Sequence, residues 1–156
     1  MSDAGPLMAL GVLDRLDLLA RLFLRTLIPE AVLAECVARP DLADARVIRA
    51  AVDRGAFEVL AVEPVAHVPL GLGERSAIAL AQEHGALLLV DDRAARRHAE
   101  TVGLRVVGTL GLLVQAKRRG WLPRVAPCIE RLHASGRFLS AAAIDAALAA
   151  AGESGR

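Results

Sequence analysis

Residues 86–97 read ALLLVDDRAARR, an apolar run that ends abruptly at two adjacent carboxylates. Ala86–Val90 has the length and composition of a short strand that is buried on both faces, as strands of parallel sheets are. Asp91 and Asp92 then stand at its carboxyl end. Because open parallel sheets bind ligands beyond the carboxyl ends of their strands, this position suits a ligand site as well as a helix cap. Three arginines follow the two acids, namely Arg93, Arg96 and Arg97.

The rest of the chain repeats this alternation of short apolar runs and helical stretches. Strand-like runs are followed by stretches whose apolar residues recur every three or four positions, which is typical of amphipathic helices. The alternation predicts an α/β fold, a parallel sheet covered by helices on both faces. Two more helices are expected near the C-terminus, over about 123–134 and 140–151. The strand-like runs are residues 26–28, 57–62, 86–90 and 104–108.

Length and composition indicate one domain over residues 1–156. The chain has 156 residues, of which 54% are hydrophobic, enough for one substantial core. Its 19 Lys and Arg nearly balance its 18 Asp and Glu, so net charge makes no case for nucleic acid or an anionic membrane. The distribution is less even, because the stretch 93–124 carries eight basic residues and the single acid Glu100. That stretch is either a phosphate-binding surface or a solvated helix face.

Several classes of protein are disfavoured. Cys36 and Cys128 lie far apart without metal-ligand spacing, so a disulfide scaffold or a zinc site is not expected. The N-terminal stretch MSDAGPL does not have the pattern of a secretory signal, and no run reaches the roughly 18 uncharged apolar residues of a membrane span. We therefore expect a soluble, cytoplasmic protein.

Acidic residues at several junctions form the candidate site. Taken alone, each of three acids has an ordinary explanation. Asp3 is near the terminus and Glu35 lies on a helix surface. Glu74 lies in a first turn, where an acid interacts favourably with the helix dipole. Neighbouring residues at a strand end point different ways, so we expect one of Asp91 and Asp92 to cap the next helix and the other to face the cleft. Clustered carboxylates raise one another's pKa, and a hard divalent cation such as Mg²⁺ or Mn²⁺ relieves that repulsion.

The ordered motifs resemble those of the PIN-domain nucleases, in particular a VapC-like subgroup. The likeness extends from Asp3 to about Gly152. It implies a three-layer α/β/α sandwich on a parallel sheet, whose acidic residues bind Mg²⁺ or Mn²⁺ to hydrolyse RNA, often as the toxin of a toxin–antitoxin pair. The segments that carry the resemblance are SDAGPLMAL, IPEAVLAEC, LGLGERSAIALA, LLLVDDRAAR and GTLGLLVQAKRRG.

The resemblance also implies roles for individual residues. The catalytic and metal-binding acids that it implies are Asp3, Glu35, Glu74 and Asp92, with Asp91 as an additional metal-binding neighbour. The implied mechanism is metal-assisted in-line hydrolysis of a phosphodiester. The implied partners are RNA, an antitoxin protein and a second copy of the chain in a homodimer. The residues expected to contact RNA phosphates are Arg93, Arg96 and Arg97.

An alternative is a catalytically weak or inactive PIN-fold module that acts through binding or dimerisation. Only Met1 and Ser2 precede Asp3, whereas the family has several apolar residues there, so either the chain starts upstream or the first strand is a stub that holds Asp3 poorly. Ala4 and Gly5 also replace a hydroxyl-bearing pair of the family. A flap-type DNA nuclease is a third possibility, but 156 residues leave little room for its extra helices.

Overall fold

The computed structural model describes residues 1–153, and the last three residues of the predicted domain, 154–156, lie outside the described residues. The strands are β1 (Leu27–Pro29), β2 (Glu58–Leu60), β3 (Leu88–Leu89) and β4 (Val106–Val107). The helices are α1 (Ala4–Leu13), α2 (Asp17–Leu22), α3 (Glu30–Cys36), α4 (Ala43–Asp53), α5 (Leu72–His84), α6 (Arg93–Thr101), α7 (Thr109–Arg118), α8 (Ala126–Ala134) and α9 (Ala141–Ala150). None of these helices is both long and apolar enough to cross a bilayer.

The strands form two parallel pairs that the N-terminal residues join. Strand β1 pairs with β2, and β3 pairs with β4. Ser2 donates its N–H to the carbonyl of Leu27 at 3.2 Å, and Asp3 donates to Leu89 at 3.0 Å. Leu89 in turn donates to the carbonyl of Met1 at 2.8 Å. The order is therefore β2, β1, residues 1–3, β3, β4, and the predicted α/β fold with parallel strands is confirmed.

A turn at Asp14 separates the first two helices. Helix α1 ends at Asp14, whose φ of 56° is left-handed. Its N–H donates to the carbonyl of Gly11 at 3.0 Å, and Arg15 donates to Leu10 at 2.8 Å. Aspartate tolerates the left-handed region better than most residues do, so the chain turns here and restarts as α2. The two expected C-terminal helices are present as α8 and α9.

Helix α1 lies at the centre of the core. Leu7 and Leu10 are fully buried, as is Leu88 in β3. Each such side chain contributes about 1.5–3 kcal/mol through its removal from water. A Cβ atom at Gly11 would lie 3.1 Å from the Cβ of Asp44, so the glycine allows α4 to approach α1 closely.

Glu153, which follows α9, forms hydrogen bonds with the end of α7 and the start of α8. Its Oε1 accepts hydrogen bonds from the N–H of Val125 and the ammonium of Lys117, both at 2.7 Å, and its Oε2 accepts one from the N–H of Ala126 at 3.0 Å. Burial alone would raise the pKa of Glu153, but these hydrogen bonds outweigh it and lower the pKa to about 2. The ionised carboxylate therefore stabilises the packing of α7, α8 and the segment after α9.

We predict that Glu153→Gln destabilises the protein in a pH-dependent way. The substitution removes charge-assisted hydrogen bonds, which should lower Tm at pH 7 by roughly 5 °C. Since the pKa falls from 4.5 to about 2 on folding, the stabilisation is complete above pH 4.5 and is lost as the pH drops towards 2. Thermal unfolding of wild type and variant between pH 2.5 and 7 tests this. Glu130→Gln on α8 is the control, and a gap between wild type and E153Q that does not narrow at low pH would contradict the assignment.

Candidate metal centre

Four carboxylates converge where the strands end. Asp3 closes the segment that joins the strand pairs, Glu35 lies on α3, Glu74 in the first turn of α5, and Asp91 after β3. Their proximity is visible in the pKa of Asp3, which is raised to about 7, first by burial and then by the charges of Glu74, Glu35 and Asp91. Four of the five predicted acids thus come together, and they share one electrostatic environment.

Asp3 forms the buried floor of this cluster. Only 6% of its surface is exposed, and its Oδ1 has no hydrogen-bond partner among the described residues. A buried polar atom without a partner costs about 1–3 kcal/mol, so the position favours a ligand that satisfies it. Residues 1–3 form a stub with one bridge to Leu89, as one of the two alternatives supposed, yet the N–H of Asp3 is bonded to Leu89 and its position is fixed.

Glu35 reaches the cluster across a glycine. A Cβ atom at Gly73 would lie 2.7 Å from Oε2 of Glu35 and 3.7 Å from Oδ1 of Asp3, so both carboxylates lie against the bare backbone of α5. Burial and the charge of Glu74 raise the pKa of Glu35. Glu35 is exposed at the rim of the cleft, which makes it accessible from solvent. Gly73 was not among the predicted site residues, although it directly precedes the predicted acid Glu74.

Glu74 is half-buried and also serves its own helix. Its Oε2 accepts a hydrogen bond from the N–H of Gly71 at 2.8 Å, in a capping arrangement at the start of α5. Glu74 is therefore a first-turn acid that stabilises its own helix, and its charge also raises the pKa values of Asp3 and Glu35. Glu74 contributes negative potential from the edge of the cluster.

Asp91 and Asp92 divide two roles between them. Oδ1 of Asp92 accepts the N–H groups of Ala94 and Ala95, both at 2.8 Å, and caps α6. Asp91 points the other way, with its Oδ2 3.8 Å from the position of a Cβ at Gly5, in the first turn after Asp3. The role of Asp92 as a catalytic and metal-binding acid stays a prediction. One of its oxygens caps the helix, and Asp91 is the member of the pair whose charge acts on Asp3.

Thr109 was missed by sequence reasoning and holds Asp91. Its N–H donates to Oδ1 of Asp91 at 2.7 Å, and its hydroxyl donates to Oδ2 at 2.5 Å. A Cβ atom at Gly108 would lie 2.9 Å from the same Oδ1 and 2.9 Å from Nη2 of Arg96, so a larger residue there would displace one of these side chains. A threonine that starts a helix looks in the sequence like an ordinary first-turn residue, and nothing local reveals its partner.

The three arginines of α6 do not behave alike. Arg96 is half-buried and donates to the carbonyl of Val90 at 3.1 Å, so it holds the junction between β3 and α6. Arg93 and Arg97 are exposed and lie four residues apart, on one side of the helix. Arg93 and Arg97 are thus the more exposed of the three, and Arg96 also makes a structural contact; phosphate binding by all three stays a prediction.

The donor set fits a hard divalent cation. Asp3, Glu35, Glu74 and Asp91 offer only carboxylate oxygens, the ligands that Mg²⁺ and Mn²⁺ prefer. As the side chains stand, no three His, Cys, Asp or Glu residues within residues 1–153 are close enough to hold one ion together. Glu74 is turned to Gly71 and Asp91 to Thr109. The oxygen of Asp3 that lacks a partner is the atom in this set that a cation would satisfy.

We predict that Asp3→Asn stabilises the metal-free protein at high pH. The native pKa of Asp3 is about 7 against 3.8 ordinarily, so the native state loses stability relative to the unfolded state as the pH rises from 3.8 to 7. Asn carries no charge and escapes that loss. In EDTA, Tm of the variant should exceed that of wild type by several degrees at pH 8, and the difference should disappear near pH 4. Asp145→Asn on α9 is the control; equal melting curves at pH 8 would contradict the burial of an ionisable Asp3.

Comparison with known proteins extends what the geometry shows. No curated protein matches the sequence. A family model described as a PIN domain matches residues 1–153, which is nearly the whole chain. The match includes every residue of the acidic cluster, and PIN domains are generally nucleases that hydrolyse phosphodiester bonds and use divalent metals. The chain therefore belongs to the PIN-domain family.

Proposed function

We propose that the protein is an endoribonuclease that depends on Mg²⁺ or Mn²⁺ and hydrolyses RNA phosphodiester bonds. The observation that supports this most strongly is Oδ1 of Asp3, which is buried without a partner among the described residues and lies under the charges of three other acids. A cation placed there would satisfy that oxygen and offset the repulsion among the acids.

Each acid has a distinct part in this proposal. Asp3 would hold the cation from the buried floor, and Glu35 and Asp91 would hold it from the exposed rim, with Glu74 adding negative charge from the side. When bound, the cation supplies a Lewis acid that polarises the phosphate and lowers the pKa of the attacking water. Because Glu35 and Asp91 are exposed, a phosphodiester can reach the cluster from solvent without displacing a helix.

The surface beside the cluster supports a nucleic-acid substrate. Arg93 and Arg97 are exposed in the first two turns of α6, just after Asp91, where they could contact phosphates on either side of the bond that is cut. Aromatic residues make up 3% of the chain, which favours contacts to the nucleic-acid backbone over base stacking. The choice of RNA over DNA rests on the resemblance to VapC-like proteins.

The biological part of the proposal rests on the same resemblance. We propose that the protein is the toxin of a type II toxin–antitoxin pair, that an antitoxin protein holds it inactive, and that it works as a homodimer in the cytoplasm. Expression of the chain alone and together with a protein encoded beside it would test this, since a toxin arrests growth only when its antitoxin is missing.

We predict that Asp91→Asn and Asp92→Asn have opposite outcomes. Asn caps a helix about as well as Asp, so D92N should retain α6, Mn²⁺ binding and cleavage within a few-fold of wild type. Asp91→Asn removes a charge that faces Asp3, and it should reduce cleavage by about 100-fold or more. Calorimetry with Mn²⁺ and cleavage of a labelled single-stranded RNA, on the same samples, measure both effects.

Two results would count against the proposal in different ways. A loss confined to D92N would show that the cluster has been assigned to the wrong carboxylate, and equal losses in both variants would show that both carboxylates take part. If wild type binds no Mn²⁺ at millimolar concentration and leaves the RNA intact, the nuclease proposal fails and the alternative of a binding or dimerisation module takes its place.

We also predict that the double substitution Arg93→Gln and Arg97→Gln weakens RNA binding and leaves Mn²⁺ affinity unchanged. Each arginine that no longer neutralises a phosphate should reduce the slope of log affinity against log salt by about one unit. Binding of RNA at several salt concentrations, in Ca²⁺ to suppress cleavage, gives that slope. Arg49→Gln on the exposed side of α4 is the control, and an unchanged slope in the double variant would remove α6 from the RNA surface.

A further inference from the structure

Asp91 differs from the other acids of the cluster in how it is held. It is an exposed side chain, yet both of its oxygens accept short hydrogen bonds from one residue, Thr109. Within residues 1–153, Oδ1 of Asp3 has no hydrogen-bond partner, and the Glu35 side chain makes no hydrogen bond. Of the two exposed acids assigned to hold the cation, Asp91 is therefore the one whose direction is fixed by hydrogen bonds before a cation arrives.

Thr109 is suited to fixing that direction. It is 1% exposed, so its side chain is packed on all sides, and branching at Cβ leaves it few rotamers. An ionised carboxylate only accepts hydrogen bonds, so the hydroxyl of Thr109 has to donate to it. Two bonds from two atoms of one residue determine both the position of the carboxylate and its rotation. The remaining lone pairs of Asp91 stay free for another ligand.

The sheet sets the distance between the two residues. Strand β3 pairs with β4 in the register Leu89 opposite Val107. Two residues further along each chain, Asp91 stands opposite Thr109, and the glycine at 108 leaves the space that a Cβ would fill. The contact between Asp91 and Thr109 thus continues the register of the paired strands.

We propose that Thr109 is a positioning residue that holds the carboxylate of Asp91 in the orientation that binds the divalent cation; this inference rests on the proposed function. Thr109 touches neither the cation nor the RNA. Its part is to prevent an exposed carboxylate from sampling other rotamers, so that less conformational entropy is lost when the cation binds.

Two substitutions separate this role from simple helix capping. Thr109→Val keeps the shape and the backbone N–H and removes only the hydroxyl, whereas Thr109→Ser keeps the hydroxyl. We expect T109V to weaken Mn²⁺ binding about 10-fold, as removal of a group that orients a metal ligand does, and T109S to stay within about 3-fold of wild type. Calorimetry on the full chain gives the affinities, and thermal unfolding in EDTA gives the stability of the same samples.

The stability measurement and a double variant decide between the explanations. A purely structural role predicts that T109V lowers Tm in EDTA while the Mn²⁺ affinity stays at the wild-type value, and this result would overturn the inference. If the hydroxyl acts through Asp91, T109V should have no further effect on affinity in an Asp91→Asn background. An additional loss of affinity there would equally overturn it.

The remaining outcomes are also distinguishable. If wild type binds Mn²⁺ and T109V binds it equally well, the positioning role is wrong and the proposed function stands. If wild type itself binds no Mn²⁺, both fail together. Should T109V not fold, Thr109→Ala removes the same hydroxyl with a smaller side chain, and its affinity relative to T109S then gives the same comparison.

Discussion

The backbone hydrogen bonds of residues 1–3 are the constraint on which the arrangement depends. This segment joins the pairs β1–β2 and β3–β4, because its backbone bonds to Leu27 on one side and to Leu89 on the other. Asp3 is its last residue, α3 with Glu35 follows β1, and Asp91 follows β3. The spacing of the three carboxylates is therefore fixed by the same bonds that make the two pairs into one layer.

Bringing these acids together costs stability in the absence of a cation. The pKa of Asp3 is raised to about 7 chiefly because the residue is buried, and the neighbouring charges add to the effect. A chain selected only for stability would place an apolar or neutral residue at such a position. The surrounding core tolerates the cost, since fully buried side chains such as Leu7 and Ile28 hold α1 and β1 in place beside it. The strain is thus local, and it is electrostatic.

Local sequence patterns were enough for the fold class and for the approximate positions of the elements, because strand length and helical periodicity are short-range properties. They also placed Asp3, Glu35 and Glu74 at junctions that do converge. They could not assign roles within the pair Asp91 and Asp92, because capping depends on the direction that each side chain takes. They missed Thr109 for a different reason, which is that its contact spans 18 residues and requires the register of β3 and β4.

That register explains why two adjacent acids can serve two helices. Asp92 caps α6, the helix that it starts, while Asp91 accepts from the first residue of α7 on the neighbouring strand. A slip of one residue between β3 and β4 would place Gly108 or Leu110 opposite Asp91, and neither has a hydroxyl to donate. The carboxylate would then be free to turn into solvent. The orientation of a rim acid in this cleft is consequently decided by the register in which β3 pairs with β4.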